Sequence, residues 1–134
     1  RYADLWNVVG GPAAAAQKLE VLRAHCQTEG RDIGDIVKTA HAGIVVIDES
    51  DAGVRQRLEA LSASPPPALR GLDADQIGQR LISGTPQQVS RRLRDYFEAG
   101  FDGITMSVRG VSELRPVELL GEAIRAALPQ RVQG

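Results

Sequence analysis

The clearest pattern of apolar and polar positions lies between residues 83 and 108, and it predicts a helix followed directly by a strand. Thr85 with Gln88 has capping-box spacing, and Pro86 suits a first helical turn, where its missing N–H needs no partner. One apolar stripe then recurs at helical spacing, at Val89, Leu93, Tyr96 and Phe97. The spacing therefore predicts an amphipathic helix that begins at Thr85.

Gly100 predicts the end of this helix, because glycine adopts the left-handed conformation after a helix without a steric penalty. Phe101–Val108 follows as a predicted strand. Alternation places Phe101, Gly103, Thr105 and Ser107 on one face and Ile104, Met106 and Val108 on the other. Helix, tight turn and strand together form half of a βαβ unit.

Strand and helix alternate through the rest of the chain. Strands are predicted at Ala3–Val9 and Ile36–Ile47, and a helix from Pro12 to Gly30 carries Ala15, Leu19, Leu22 and Cys26 on its apolar side. The last helix is predicted to bury Val117, Leu120, Ile124 and Leu128 and to end at Pro129. Residues 48–82, with a helix through about Ala63 and a shorter one capped by Asp73, exceed an ordinary connection and predict a helical insertion.

Three strands, each followed by a helix, predict a parallel sheet with right-handed crossovers, within one domain over residues 1–134. Ligands in such sheets bind at the carboxyl ends of the strands. Those ends are Asn7–Gly11, the stretch past Ile47, and Ser107–Gly110.

Charge and composition limit the kinds of partner that the chain is expected to bind. The 16 basic and 17 acidic residues are interspersed and give a net charge of −1, which does not favour nucleic acid or a membrane surface. We therefore expect a small-molecule or protein partner. The single cysteine, Cys26, lies in a helical pattern, and an inert buried thiol suits a cytoplasmic protein. The first residues contain no initiator methionine, which suggests a processed or excised piece of something longer.

His41 is the histidine predicted to lie on a strand, beside Thr39 on one face and opposite Lys38 and Ala40. It could act as an acid, a base or a cofactor contact, although a hydrogen-bonded histidine of the core or rim is the simpler interpretation. The spacing of the two histidines does not suit a metal site. The Gly10-Gly11-Pro12 turn could present backbone N–H groups to an anion, but turn geometry alone also explains it.

Five segments, taken in order, carry a resemblance to a known family. They are Tyr2–Asn7, Leu19–Cys26, Gly30–Asp32, Gly84–Val89 and Glu98–Ile104. In this order and spacing the chain resembles the C-terminal part of the bacterial-luciferase-like flavin and deazaflavin oxidoreductases, above all the branch that uses coenzyme F-420. The resemblance implies a parallel β/α barrel with a late helical insertion, in which a bound deazaflavin or FMN transfers hydride or activates oxygen at the C-terminal mouth.

Carried over by position, the resemblance implies which residues contact ligands. Cofactor contacts fall on Asn7, Val8, Gly10, Gly11 and His41. Substrate contacts fall on Val9, Met106 and Ser107. The cofactor is coenzyme F-420, with FMN as the alternative, and no residue is assigned as the chemical acid or base.

The resemblance covers about the last three strand–helix units of a barrel, and three strands cannot close a barrel of eight. Two sheet edges and an apolar inner face would then be exposed. We therefore expect this chain to be part of a longer enzyme or to self-associate. A non-catalytic partial barrel that serves as an interaction or assembly module is the alternative function.

Overall fold

The computed structural model describes residues 3–108 and 113–128. The strands are β1 (Leu5–Val9), β2 (Val37–Ile47), β3 (Ile82–Gly84) and β4 (Gly103–Val108). The helices are α1 (Pro12–Glu29), α2 (Asp51–Ala63), α3 (Ala74–Arg80), α4 (Pro86–Glu98) and α5 (Arg115–Ala127), with single 3-10 turns at Ile33–Asp35 and Pro67–Leu69.

The sheet is parallel throughout and is centred on β2. His41 of β2 pairs with Val9 of β1 on one side and with Thr105 of β4 on the other. The short strand β3 pairs with the last three residues of β2. Strands β1, β2 and β4 thus lie side by side in chain order, as successive strands of a β/α barrel do. The predicted parallel sheet of β/α units is confirmed.

A bulge divides β2 into two halves. The pairing with β4 shifts between His41 and Ile44, and Gly43 adopts φ +78°, a left-handed conformation that favours glycine. Because His41 pairs with Thr105 and Ile44 with Ser107, two residues further along β4, His41 and Ile44 lie on the same side of the sheet.

One face of the sheet is covered by helices α1, α4 and α5, and we call it the helix-covered face. Its strand residues are Trp6, Val8, Lys38, Ala40, Ile104, Met106 and Val108. Leu19 of α1 and Leu93 of α4 pack into the same cluster and are almost fully buried. The ring of Phe101 stacks on Trp6 at 6.1 Å between centroids and meets Tyr96 edge-on at 6.2 Å.

A second, smaller cluster lies on the other side of β2, beyond the bulge. Residues of α2, α3 and their connection form it, with Leu58 and Ile77 among its buried members. From the sheet it receives Val46 and the half-buried Ile44. The stretch expected to be a helical insertion therefore packs over the carboxyl-terminal half of β2.

Helix α4 begins and ends where the sequence predicts. The Gln88 side chain accepts a hydrogen bond from the backbone N–H of Thr85 at 2.8 Å, and Gly100 follows the helix with φ +102°. Val89, Leu93 and Tyr96 are buried and Phe97 is half-buried, so the predicted stripe is confirmed.

Three predictions were wrong in detail. Strand β3 was missed, since three residues are too few to show alternation. Phe101 precedes β4 and packs among the helices instead of sharing a face with Gly103. In α5 the buried positions are Pro116, Leu119, Leu120, Ala123 and Ala127, whereas Val117 and Leu128 are largely exposed. The predicted turn at Gly110 and the helix end at Pro129 lie outside the described residues.

Candidate functional site

The face of the sheet opposite the helices is uncovered along β1, β4 and the first half of β2. We call it the open face. It is formed by Leu5, Asn7, Val9, Val37, Thr39, His41, Gly103, Thr105 and Ser107. Val9, Leu5 and Val37 expose 62%, 58% and 48% of their surface, which is unusual for large apolar residues on a central sheet. None of the nine residues is an Asp, Glu, Lys or Arg.

Two hydrogen bonds between side chains join the three strands across the open face. The Thr39 hydroxyl donates to the Asn7 side-chain oxygen at 2.9 Å, linking β2 to β1. Nδ1 of His41 lies 3.1 Å from the Thr105 hydroxyl, linking β2 to β4. A threonine hydroxyl can donate or accept, so this bond holds the imidazole in either tautomer and leaves Nε2 for another partner.

A tight turn follows β1 at the edge of the open face. Gly10 has φ +144°, which requires glycine, and its N–H lies 3.5 Å from the carbonyl of His41. The Gly10 carbonyl accepts a hydrogen bond from the Tyr96 hydroxyl at 2.9 Å, and the Val9 carbonyl accepts one from Nζ of Lys18 at 3.0 Å. The turn is thus tied to β2, to α4 and to α1.

The structure brings together only some of the residues expected to contact ligands. Asn7, Val9, His41 and Ser107 share the open face, and Gly10 and Gly11 form the adjoining turn. Val8 is 6% exposed, and Met106 is half-buried; both point among the helices, on the other side of the sheet. Alternation along the strands places these two residues apart from their neighbours.

Thr39 and Thr105 were not among the residues expected at the site, yet each binds one that was. Thr39 lies two residues before His41, so strand alternation places it on the same face and could have indicated it. The pairing of β2 with β4, which selects Thr105, depends on residues 64 apart in sequence and could not be read from local pattern.

Ion pairs surround the carboxyl-terminal end of β2. Asp48 follows the strand and accepts a hydrogen bond from Nε of Arg57 at 2.7 Å, while Nη2 of Arg57 lies 3.1 Å from Glu113. The bond from Arg57 lowers the pKa of Asp48 despite partial burial. Asp48 is therefore held by Arg57, which also reaches Glu113, at the end of β2.

A cavity of about 280 Å³ lies beside this ion pair. Its walls are mainly apolar and come from β2, α2, the end of β4 and the start of α5: Val45, Val46, Ile47, Ala60, Leu61, Val108 and Pro116, with Arg57 and Ser64. The cavity thus lies between the two hydrophobic clusters, since Val45 belongs to one and Val46 to the other.

Within residues 3–108 and 113–128, no group of three or more His, Cys, Asp or Glu side chains is arranged to hold a metal ion. Nor is any helix of this described part both long and apolar enough to cross a membrane.

Parallel strands in chain order, with α1, α4 and α5 on one side, are the arrangement found in part of a β/α barrel. The solved structures that match it include three with a TM-score of 0.68: an F-420-dependent secondary alcohol dehydrogenase with an F-420–acetone adduct, an EDTA monooxygenase from Chelativorans sp. BNC1, and a riboflavin lyase with modified FMN and riboflavin. Their sequence identities to this chain are 14%, 19% and 16%. No family model and no curated protein sequence matches the chain.

The matches extend over 96%, 100% and 93% of this chain but over only 44%, 43% and 39% of the three solved chains, in the same order. All three proteins have the luciferase-like barrel fold. At these identities the likeness shows the fold, and it shows that this chain corresponds to less than half of such a barrel.

Proposed function

We propose that this chain forms the C-terminal part of the pocket in a luciferase-like oxidoreductase that uses coenzyme F-420 or FMN. The observation that carries the proposal is the open face, where Asn7 with Thr39 and His41 with Thr105 form two hydrogen-bonded polar pairs on the side that faces the interior of a barrel. The F-420 and FMN named in two of the matching structures give the class of cofactor.

The open face suits the flat ring of such a cofactor or its substrate. It offers amide, hydroxyl and imidazole groups to ring carbonyls and N–H groups, and Val9 offers exposed apolar surface. Its lack of charged residues suits a ring better than a phosphate. When bound, the cofactor supplies the hydride chemistry, and the residues of this chain bind and orient the reactants.

In this proposal Asn7, His41, Gly10 and Gly11 contact the cofactor, and Val9 and Ser107 contact the substrate. Val8 and Met106 are left out, because their side chains pack beneath the helices. His41 acts through Nε2, since Nδ1 is engaged by Thr105. We place the reaction in the cytoplasm, as the composition suggests.

The rest of the pocket must come from additional β/α units. Three neighbouring strands form only part of an eight-stranded barrel, and the matching chains are more than twice as long as the matched part. We propose that the remainder of a longer barrel, or a second copy of this chain, covers the open face. The same incompleteness favours the second candidate function, a partial barrel that serves as a non-catalytic assembly module.

Equilibrium binding of F-420 and of FMN to this chain, followed by fluorescence with light scattering on the same sample, tests the proposal. Micromolar binding that weakens about tenfold in His41→Ala would support it, a loss typical of one or two removed hydrogen bonds. His25→Ala is the matched control, because His25 is exposed on α1, away from the open face. Absence of binding in a folded, associated chain would favour the assembly module.

A further inference from the structure

Tyr96 is a buried titratable residue to which the proposed chemistry gives no part. It lies on α4, on the helix-covered side of the sheet, and only 1% of its surface is exposed. Its ring meets Phe101 edge-on, and Phe101 in turn stacks on Trp6 of β1. A phenylalanine would fill this space equally well, so packing alone does not explain the hydroxyl.

The hydroxyl reaches the turn that follows β1. It donates a 2.9 Å hydrogen bond to the carbonyl of Gly10, across 86 residues of sequence. From the other side, Nζ of Lys18 binds the carbonyl of Val9 at 3.0 Å, but Lys18 is exposed and its bond competes with water. Of these two bonds, the one from Tyr96 is better shielded and so restrains the turn more strongly.

Gly10 needs such a restraint because its φ of +144° is one of several that glycine can adopt. The turn has a long bond of 3.5 Å from Gly10 N–H to His41, and α1 begins without a side-chain cap. Beyond it, the Gly11 carbonyl accepts the N–H of Ala15 at 2.9 Å in the first turn of α1. The bond from Tyr96 is therefore the well-shielded restraint on the peptide group between Gly10 and Gly11.

We propose that Tyr96 is a positioning residue of the candidate site, whose hydroxyl holds the Gly10–Gly11 turn in one conformation from beneath the sheet. Its relevance to ligands rests on the proposed function, in which this turn contacts the cofactor. Burial also raises the pKa of Tyr96, which keeps the hydroxyl protonated and able to donate. The turn would then be preorganised before a ligand arrives.

Tyr96→Phe tests the proposal because it removes the donor and keeps the ring. We expect exchange of the turn's hydrogen-bonded amides, Gly10 N–H and the N–H of Ala15 that binds the Gly11 carbonyl, to accelerate about five- to tenfold in NMR on the full chain, while exchange in β2 stays within twofold. Ser62→Ala is the matched control, since it removes a half-buried hydroxyl that donates to the Leu72 carbonyl at 3.1 Å in the insertion. Uniform acceleration at all sites, or none at the turn, would overturn the proposal.

If Tyr96→Phe does not fold, the Tyr96 hydroxyl proton of the wild-type chain tests the same proposal. A slowly exchanging Tyr96 hydroxyl proton with a nuclear Overhauser contact to Gly10 supports the positioning role of Tyr96, and a rapidly exchanging one overturns it.

Binding of F-420 and FMN to Tyr96→Phe separates this proposal from the proposed function. Weaker binding together with faster exchange at the turn supports both. Unchanged binding despite that faster exchange removes Tyr96 from the site. A wild-type chain that binds neither cofactor refutes the proposed function. The hydrogen-exchange result still tests whether Tyr96 holds the Gly10–Gly11 turn.

Discussion

Lys38 and Asp102 form the most connected side-chain pair of the described sheet. Lys38 is 8% exposed, and its Nζ lies 2.8 Å from both the Ile36 carbonyl and the Asp102 carboxylate. The same carboxylate oxygen accepts the backbone N–H of Lys38 at 2.8 Å, and the N–H of Asp102 donates to the Lys38 carbonyl. The pair therefore joins the beginning of β4 to the beginning of β2.

This pair predicts how stability responds to acid. Burial raises the pKa of Asp102, but the hydrogen bonds and charge of Lys38 outweigh it, so the folded-state pKa lies below the usual 3.8. Its contribution is therefore complete above pH 3.8 and is lost as the pH falls through the lower folded-state value. We expect Asp102→Asn to cost about 1–3 kcal/mol in urea unfolding at pH 7, because it leaves the Lys38 ammonium without its counter-ion.

The variant should also flatten the acid dependence of the free energy of unfolding. Some dependence will persist, because the pKa of Asp48 is also lowered, by its bond from Arg57. An Asp102→Asn chain with unchanged stability at pH 7 and an unchanged acid profile would contradict this account.

Gly84 illustrates a backbone requirement set by a single residue. Its φ is +149°, and a Cβ placed there would lie 2.5 Å from Oε1 and 2.7 Å from Cβ of Gln88, the residue that caps α4. We expect Gly84→Ala to lower the free energy of unfolding by about 1–3 kcal/mol. Gly121→Ala is the control, since Gly121 lies inside α5 and a Cβ there would meet the Arg125 side chain at an ordinary 3.5 Å; it should be neutral or stabilising. Thermal unfolding followed by circular dichroism distinguishes the two.

At the scale of elements, helices with strong local chemistry were the easiest to predict. Helix α4 has a cap, an apolar stripe and a terminal glycine, all within 16 residues, and its bounds follow from them. For α5, the predicted buried positions were displaced by one residue. Its inward positions include Ala123 and Ala127, which give little hydrophobic contrast, while Val117 is exposed. Local pattern assigns helix phase well only where large apolar residues mark the buried side.

The candidate site was predictable in part for a related reason. Alternation places Thr39 and His41 on one face, and that face is uncovered in the structure. Which residue of the next strand meets them is set by strand register, and register arises from packing of the whole sheet. The bonds Thr39–Asn7 and His41–Thr105 therefore could not be predicted from the sequence.

The segment with α2 and α3, predicted to be an insertion, should depend on its own hydrophobic cluster. Ile77 of α3 is fully buried there, so Ile77→Ala should cost about 2–5 kcal/mol, as truncation of a buried isoleucine does. Val21→Ala on α1, where 57% of the side chain is exposed, is the control and should change stability by less than about 0.5 kcal/mol. Urea unfolding measures both changes. Equal losses in the free energy of unfolding of the two variants would contradict a distinct second cluster.

For the whole molecule, the exposed apolar residues of the open face predict association. Val9→Lys places a charge on this face at the end of β1, where a covering partner would have to bury it. We expect the wild-type chain to exceed monomer mass in light scattering at tens of micromolar and Val9→Lys to shift it toward the monomer. Val21→Lys, at a site of similar exposure on α1, should leave the mass unchanged.

A wild-type chain that is a monodisperse monomer and unfolds cooperatively would contradict this expectation. It would mean that three strands and their helices are stable with one face of the sheet in water. The open face would then be a solvated surface, and neither a second copy nor further β/α units would be needed for folding.

The bulge at Gly43 has a consequence for how such a protein can diversify. Before it, β2 contributes Thr39 and His41 to the site; beyond it, the same side of the strand contributes Ile44 and Val46 to the insertion. The segment with α2 and α3 therefore rests on a part of β2 that carries none of the four residues of the hydrogen-bonded pairs. The sequence, length and shape of that segment can change over generations without altering the residues that would contact a ligand before the bulge.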